Sequence, residues 1–169
     1  MRAAHPLYGA IYALLTTNTL WYLVVGPWAQ SLDSLAWLVL LMLFALETRQ
    51  PNWLKKKQLR SAVHALRFAA TAAIIASAAG YTRENEWLDL INIALWILVV
   101  ALIECELRLP QRVAHNRRLF TGVAVALYSA IALLIPMWAL RGEWFDAYDA
   151  VLWLIAFALI ERDALKLAL

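Results

Sequence analysis

The chain reads as an all-α, polytopic membrane protein: six transmembrane helices built as three tandem two-helix repeats, in a pseudo-threefold arrangement. Three observations point there. The first is composition. Of 169 residues, 64% are hydrophobic, with a mean hydropathy of +0.65, against roughly 45–50% apolar residues in soluble domains. The second is an ungapped internal repeat. Trp28, Trp87 and Trp144 are each followed nine residues later by Trp37, Trp96 and Trp153. Gln30, Asp89 and Asp146 share one intervening column, and Asp33, Asn92 and Asp149 share another. Glu47, Glu106 and Asp163 stand ten residues beyond the second tryptophan. Self-similarity at a period of about 58 residues marks one supersecondary unit used three times. The units run over about residues 1–55, 56–113 and 114–169 of a single membrane domain spanning 1–169. The third observation is charge, which is strongly partitioned between the connections.

Six apolar segments carry the helices, at about residues 5–27, 32–47, 61–81, 88–105, 119–140 and 147–161. In hydrocarbon each backbone amide must be satisfied within its own segment, which selects helices over an open sheet. A closed barrel fails because period-two alternation is missing. The first segment follows Arg2 and has no charge from residue 3 to 32. Its polar run Thr16-Thr17-Asn18-Thr19, with no small-residue cleavage site placed after it, suits a retained helix better than a signal peptide. In the third segment Arg67 lies near the helix end, where an arginine snorkels to the interface. Pro136 should kink the fifth. Small residues on these odd segments, among them Ala69, Ala70, Ala76, Gly122, Ala124 and Ala126, allow close helix approach.

The even segments are shorter. Their charge-free runs, 34–46, 90–103 and 150–160, contain 13, 14 and 11 residues. The last rises only about 16 Å against a hydrocarbon core of about 30 Å. Acids flanking such a run either thin the bilayer or turn inward, and an intramembrane charge is usually turned inward. The even helices are therefore expected inside and the odd helices outside.

Orientation follows from the basic residues. Arg2, the stretch Arg49 to Arg67, the stretch Arg108 to Arg118, and Arg162 with Lys166 account for all but Arg83 and Arg141. The positive-inside rule then makes both termini cytoplasmic in a bacterial-type inner membrane. Trp28, Trp87 and Trp144 fall at the outer boundary, where indole rings favour the headgroup zone. Lys55, Lys56 and Lys57 mark a basic interfacial stretch facing anionic lipid headgroups. Nothing in the chain suits nucleic acid.

Helical geometry puts chemistry on one stripe. With the inner tryptophan as zero, the column seven before it lies at about +20° and the column four before it at about −40°. The outer tryptophan, nine before, lies about 180° away. One face thus carries Gln30/Asp89/Asp146, then Asp33/Asn92/Asp149, then Trp37/Trp96/Trp153, and the other presents a lipid anchor. Convergence of three such stripes makes an acidic outer vestibule that binds cations, closed below by a tryptophan gate or packing layer. Carboxylate rings attract cations, and apolar constrictions gate by dewetting; protons bind at such depth as readily as metal ions. Glu47, Glu104, Glu106, Glu161 and Asp163 form an inner acidic set.

Two functional readings fit this pattern. One is a cation or proton channel or transporter. The other is a non-catalytic accessory or assembly subunit of a larger membrane complex, in which the acids cap helix N-termini and pair with inner arginines. The same surfaces suit other membrane subunits or a homo-oligomer. His5 and His64 share a repeat column and offer a weak paired-ligand site for haem or another porphyrin; no other cofactor is expected. The single cysteine, Cys105, excludes an internal disulfide. No Gly-rich phosphate loop, nucleophile elbow or HExxH motif is present, so an enzyme is not expected.

Overall fold

A computed structural model describes residues 6–49 and 57–167. Among them the chain is all-helical: α1 (Pro6–Val25), α2 (Trp28–Arg49), α3 (Lys57–Glu84), α4 (Trp87–Arg108), α5 (Pro110–His115), α6 (Arg117–Arg141) and α7 (Trp144–Leu167). Among the described residues, four spans are long and apolar enough to cross a membrane: Trp28–Leu46, Gln58–Glu84, Trp87–Glu106 and Arg117–Arg141. The chain is thus a helical protein with the makings of a membrane protein. Two of the six expected spans stay outside this set. α1 has the polar run Thr16 to Thr19 at its middle, and α7 has only residues 150–160 free of charge between Asp149 and Glu161.

The even helices begin earlier than hydropathy suggests. α2, α4 and α7 each start on the outer tryptophan of the repeat, and each follows its odd helix after two residues: 26–27, 85–86 and 142–143. These turns share a closure. The amide of Gly26 donates to the carbonyl of Tyr22 (2.8 Å), that of Glu86 to Tyr81 (2.9 Å) and that of Glu143 to Trp138 (2.9 Å). The last two are six-to-one bonds of the Schellman type, which satisfy orphan carbonyls at a helix end through a left-handed residue. Asn85 (φ 63°) and Gly142 (φ 82°) supply that conformation. Asn85 Oδ1 also accepts a 2.6 Å hydrogen bond from Trp87 Nε1, fixing the boundary indole over its own turn.

Burial recurs column by column. On the odd helices Leu15/Ile74/Ile131, Asn18/Ser77/Leu134 and Tyr22/Tyr81/Trp138 are buried in all three copies. Spaced three and four apart, these columns form one continuous helix face. On the even helices Ser34/Ile93/Ala150 and Trp37/Trp96/Trp153 are buried throughout, whereas Trp28, Trp87 and Trp144 are each more than half exposed. Burial thus recurs at matching offsets from Trp28, Trp87 and Trp144, with different side chains at most of them.

The chain divides into two compact units that cut across the repeats: Leu15–Trp87, and Leu88–Leu169 with Met1–Leu14. In the first, α2 packs along α3. Gly80 makes that approach possible, since a Cβ there would lie 2.7 Å from Ala29 Cβ and 2.6 Å from Trp28 Cζ2. Polar contacts tie α1 to α2, with Thr19 Oγ1 3.0 Å from Ser34 Oγ and Ser31 Oγ donating to the Tyr22 carbonyl at 2.7 Å. In the second unit α6 packs along α7. Leu88, Leu134, Trp138, Ala147 and Ala150 form its core, with Leu95, Ile135 and Ala139 packed around them. Tyr8 at the start of α1 donates to the Leu159 carbonyl at 3.3 Å.

One expectation for the odd helices is corrected. Gly122 is exposed with open space where a Cβ would stand, so it mediates no close approach; of the small residues named, Ala70 and Ala124 are buried. Pro136 lies inside α6, which runs from Arg117 to Arg141. α5 is an element that hydropathy gave no sign of: Pro110 opens it at a position where a missing N–H costs nothing.

Candidate functional site

The starting points of the even helices decide what the polar columns can be. With Trp28, Trp87 and Trp144 as first helical residues, the column Gln30/Asp89/Asp146 stands third in the helix and the column Asp33/Asn92/Asp149 sixth. The first four amides of a helix lack intrahelical partners. An acid in the first turn, as Asp89 and Asp146 are, therefore gains from the dipole, typically by about 0.3–1 kcal/mol. The sixth position has no such excuse. Its amide and its neighbours' are already bonded within the helix, so Asp33, Asn92 and Asp149 are not caps.

All six of these side chains are half-buried. In the unit Leu15–Trp87, Asp33 faces α3, where the fully buried Ser77 hydroxyl lies 3.4 Å from Asp33 Oδ1 and 2.9 Å from the Ile74 carbonyl. Gln30 is half-buried one turn nearer the helix start, and buried Trp37 lies one turn deeper than Asp33.

The other unit brings together more of the chemistry. Asp89 and Asn92 stand on α4, and Asp146 and Asp149 on α7. Below them, Trp96 of α4 and Phe157 of α7 stack with ring centroids 4.4 Å apart, and Trp153 lies 6.2 Å from the same Phe157. Tilted aromatic pairs at such separations are favourable beyond their buried area. All three rings are buried, Trp96 and Trp153 one turn and Phe157 two turns deeper than the second polar column. The wall beside the polar residues is the core already described: Leu88 precedes Asp89, Ala147 follows Asp146, and Ala150 follows Asp149. Three carboxylates and an amide are thus held at one end of this unit, over an aromatic floor. They are spread along the helices; among the described residues no three acids, histidines or cysteines are gathered closely enough to hold a metal ion directly.

Among the buried polar atoms of this unit, Asn92 Oδ1 and Trp138 Nε1 have no hydrogen-bond partner. Reading the repeat from Trp28, Trp87 and Trp144 passes over the Tyr22/Tyr81/Trp138 column, although it stands six residues before each outer tryptophan, without a gap.

The remaining predicted site residues are less informative. Glu104 and Glu106 are half-buried on α4, while the side chains of Glu47, Glu161 and Asp163 lie outside the described residues. So do His5, Lys55 and Lys56, and the side chain of Lys57; His64 is exposed on α3. Cys105 is an exposed free thiol. A shallow groove on α3, lined by Gln58, Ser61, Ala62 and Ala65, contains none of the polar columns. Comparison of the chain with protein-family models, curated proteins and solved structures returns no match.

Proposed function

We propose that the chain is an inner-membrane protein, both termini cytoplasmic, that takes up a cation or proton from the outer side through its polar columns. The unit of α4 to α7 carries the strongest site. One observation bears the weight: Asp149 is a half-buried carboxylate at the sixth position of its helix, past the turn where helix ends reward an acid. A charge kept at such a place costs free energy, about 2.5–3.5 kcal/mol or more toward mid-membrane, and its retention calls for a use. Asp89 and Asp146 at the first turn add an electrostatic field that concentrates cations at the entrance. Because these acids are spread out rather than gathered, the species favoured is a proton or a hydrated cation, not a bare ion wrapped by carboxylates.

The aromatic layer favours a second reading. Trp96, Trp153 and Phe157 are buried directly below the acids, and no polar relay continues beneath them along α4 or α7. A closed site of that kind also suits an accessory or assembly subunit whose acids meet a partner's cations. Purified full-length protein in liposomes separates the two. Uptake by the protein alone, falling to the protein-free background in Asp149→Asn and unaffected by Glu84→Gln on the exposed end of α3, supports transport. Absence of uptake, with other membrane subunits retained through native purification, overturns it in favour of the subunit role.

A further inference from the structure

Trp138 is 2% exposed, yet its indole N–H has no hydrogen-bond partner. Asn92 Oδ1, within the same unit, is an equally enclosed acceptor with no donor. An unmade hydrogen bond at a buried group is unfavourable, and two at once is an arrangement that native cores avoid. Their placement joins them. Leu88 and Leu95 of α4 both belong to the cluster around Trp138. Asn92 lies four residues after the first and three before the second, hence on the same helix face. Trp138, Leu134 and Ile135 present α6 to that cluster, and Ala147 and Ala150 present α7.

We propose that this core holds one internal water molecule, accepting a hydrogen bond from Trp138 Nε1 and donating one to Asn92 Oδ1. The chemistry selects the ligand. A bare cation is repelled by an N–H donor, and an anion by the amide oxygen; a neutral oxygen bearing both a lone pair and an O–H satisfies each. Buried waters typically make two to four such bonds to groups otherwise left unmatched. Its second O–H remains for a further acceptor. Asp89, three residues before Asn92 on α4, and Asp146 and Asp149 on α7 each adjoin a residue of the same cluster and are the candidate acceptors. The site rests on the packing of α4, α6 and α7 and stands whether or not the protein transports ions.

The test uses full-length protein in lipid nanodiscs with 15N-labelled tryptophan. The Trp138 indole resonance is assigned as the one lost in Trp138→Phe. The expected result is a magnetisation-transfer cross-peak between that indole proton and water, reduced in Asn92→Leu. In thermal unfolding, Trp138→Phe and Asn92→Leu should each lower Tm, and the double variant should lower it by clearly less than their sum, since the water is no longer required. An indole proton without a water cross-peak in the wild-type protein overturns the proposal, including the case in which the two variants remain coupled through a direct Trp138–Asn92 bond. Strictly additive losses of Tm overturn it as well. A loss of ion uptake in Asp149→Asn with no water signal would leave the transport reading standing and remove this one.

Discussion

Replacing Gly80 by alanine tests the close approach of α2 to α3. The added Cβ would stand 2.7 Å from Ala29 Cβ and 2.6 and 2.7 Å from Trp28 Cζ2 and Cη2. The tryptophan ring is more than half exposed and can swing aside. Ala29 cannot, because its Cβ is fixed to the backbone of α2 and fully buried. Relaxed carbon–carbon contacts lie at about 3.5–4.0 Å, so α2 and α3 must part by about 1 Å at this point. Overpacking of that order typically costs about 1–3 kcal/mol. Against it stands the helix preference of alanine over glycine, about 0.8–1 kcal/mol.

Gly122→Ala isolates the packing cost. It brings the same helix preference to α6 with nothing within 4 Å of the new Cβ. The preference cancels between the variants, leaving Gly80→Ala the less stable by the packing cost of about 1–3 kcal/mol. At roughly 2–4 °C per kcal/mol for a chain of this size, thermal unfolding in detergent followed by tryptophan fluorescence resolves the difference. Adding Ala29→Gly to Gly80→Ala should recover most of the loss. Equal stability of the Gly80→Ala and Gly122→Ala proteins would refute the close approach of α2 to α3.

Two more substitutions bear on the fold. Gly142→Ala places a Cβ on a residue with φ 82° and should cost about 1–2 kcal/mol, read as a lowered unfolding midpoint; an unchanged midpoint would mean the turn adopts another conformation. Trp96→Ala should cost about 3–5 kcal/mol as a buried aromatic truncation. Trp87→Ala should change stability by about 0.5 kcal/mol or less, as an exposed site does; comparable losses for the pair would contradict the division between outer and inner tryptophans.

Much of this organisation is written in the order of residues. The outer and inner tryptophans are nine apart, half a helical turn out of phase, and that spacing alone separates an exposed ring from a buried one. What hydropathy misplaces is the start of α2 and α7. Gln30 and Asp146 depress the local average, so residues 32 and 147 look like their beginnings, whereas the expected 88 lies one residue from the start of α4. The backbone starts at the tryptophans instead, because a helix end tolerates acids in its first turn and the two-residue turns leave no slack. The buried odd-helix columns were readable but disguised. Tyr22, Tyr81 and Trp138 differ in identity, as do Asn18, Ser77 and Leu134, and only their shared register with the outer tryptophan betrays a common role. The two compact units were not legible at all, since which helix packs along which depends on local fits such as Gly80 against Ala29.

Under the proposed function, the sixth-position column is where the repeat does more than pack. Packing columns change residue type between copies yet remain apolar or weakly polar in a matched environment. This column instead keeps strong hydrogen-bonding groups, Asp33, Asn92 and Asp149, half-buried and beyond the reach of the unsatisfied amides. Its three members are not equivalent. Asp33 has a buried serine hydroxyl at 3.4 Å, Asn92 carries no charge and leaves its oxygen unmatched, and Asp149 keeps a carboxylate in the unit that also contains Asp89 and Asp146. A folding unit copied for stability alone would replace such groups with apolar residues, which often leaves stability equal or higher. Retention of polarity with divergence of charge distinguishes this column from the packing columns, and under the proposed function the strongest cation affinity falls to the unit that carries α4 and α7.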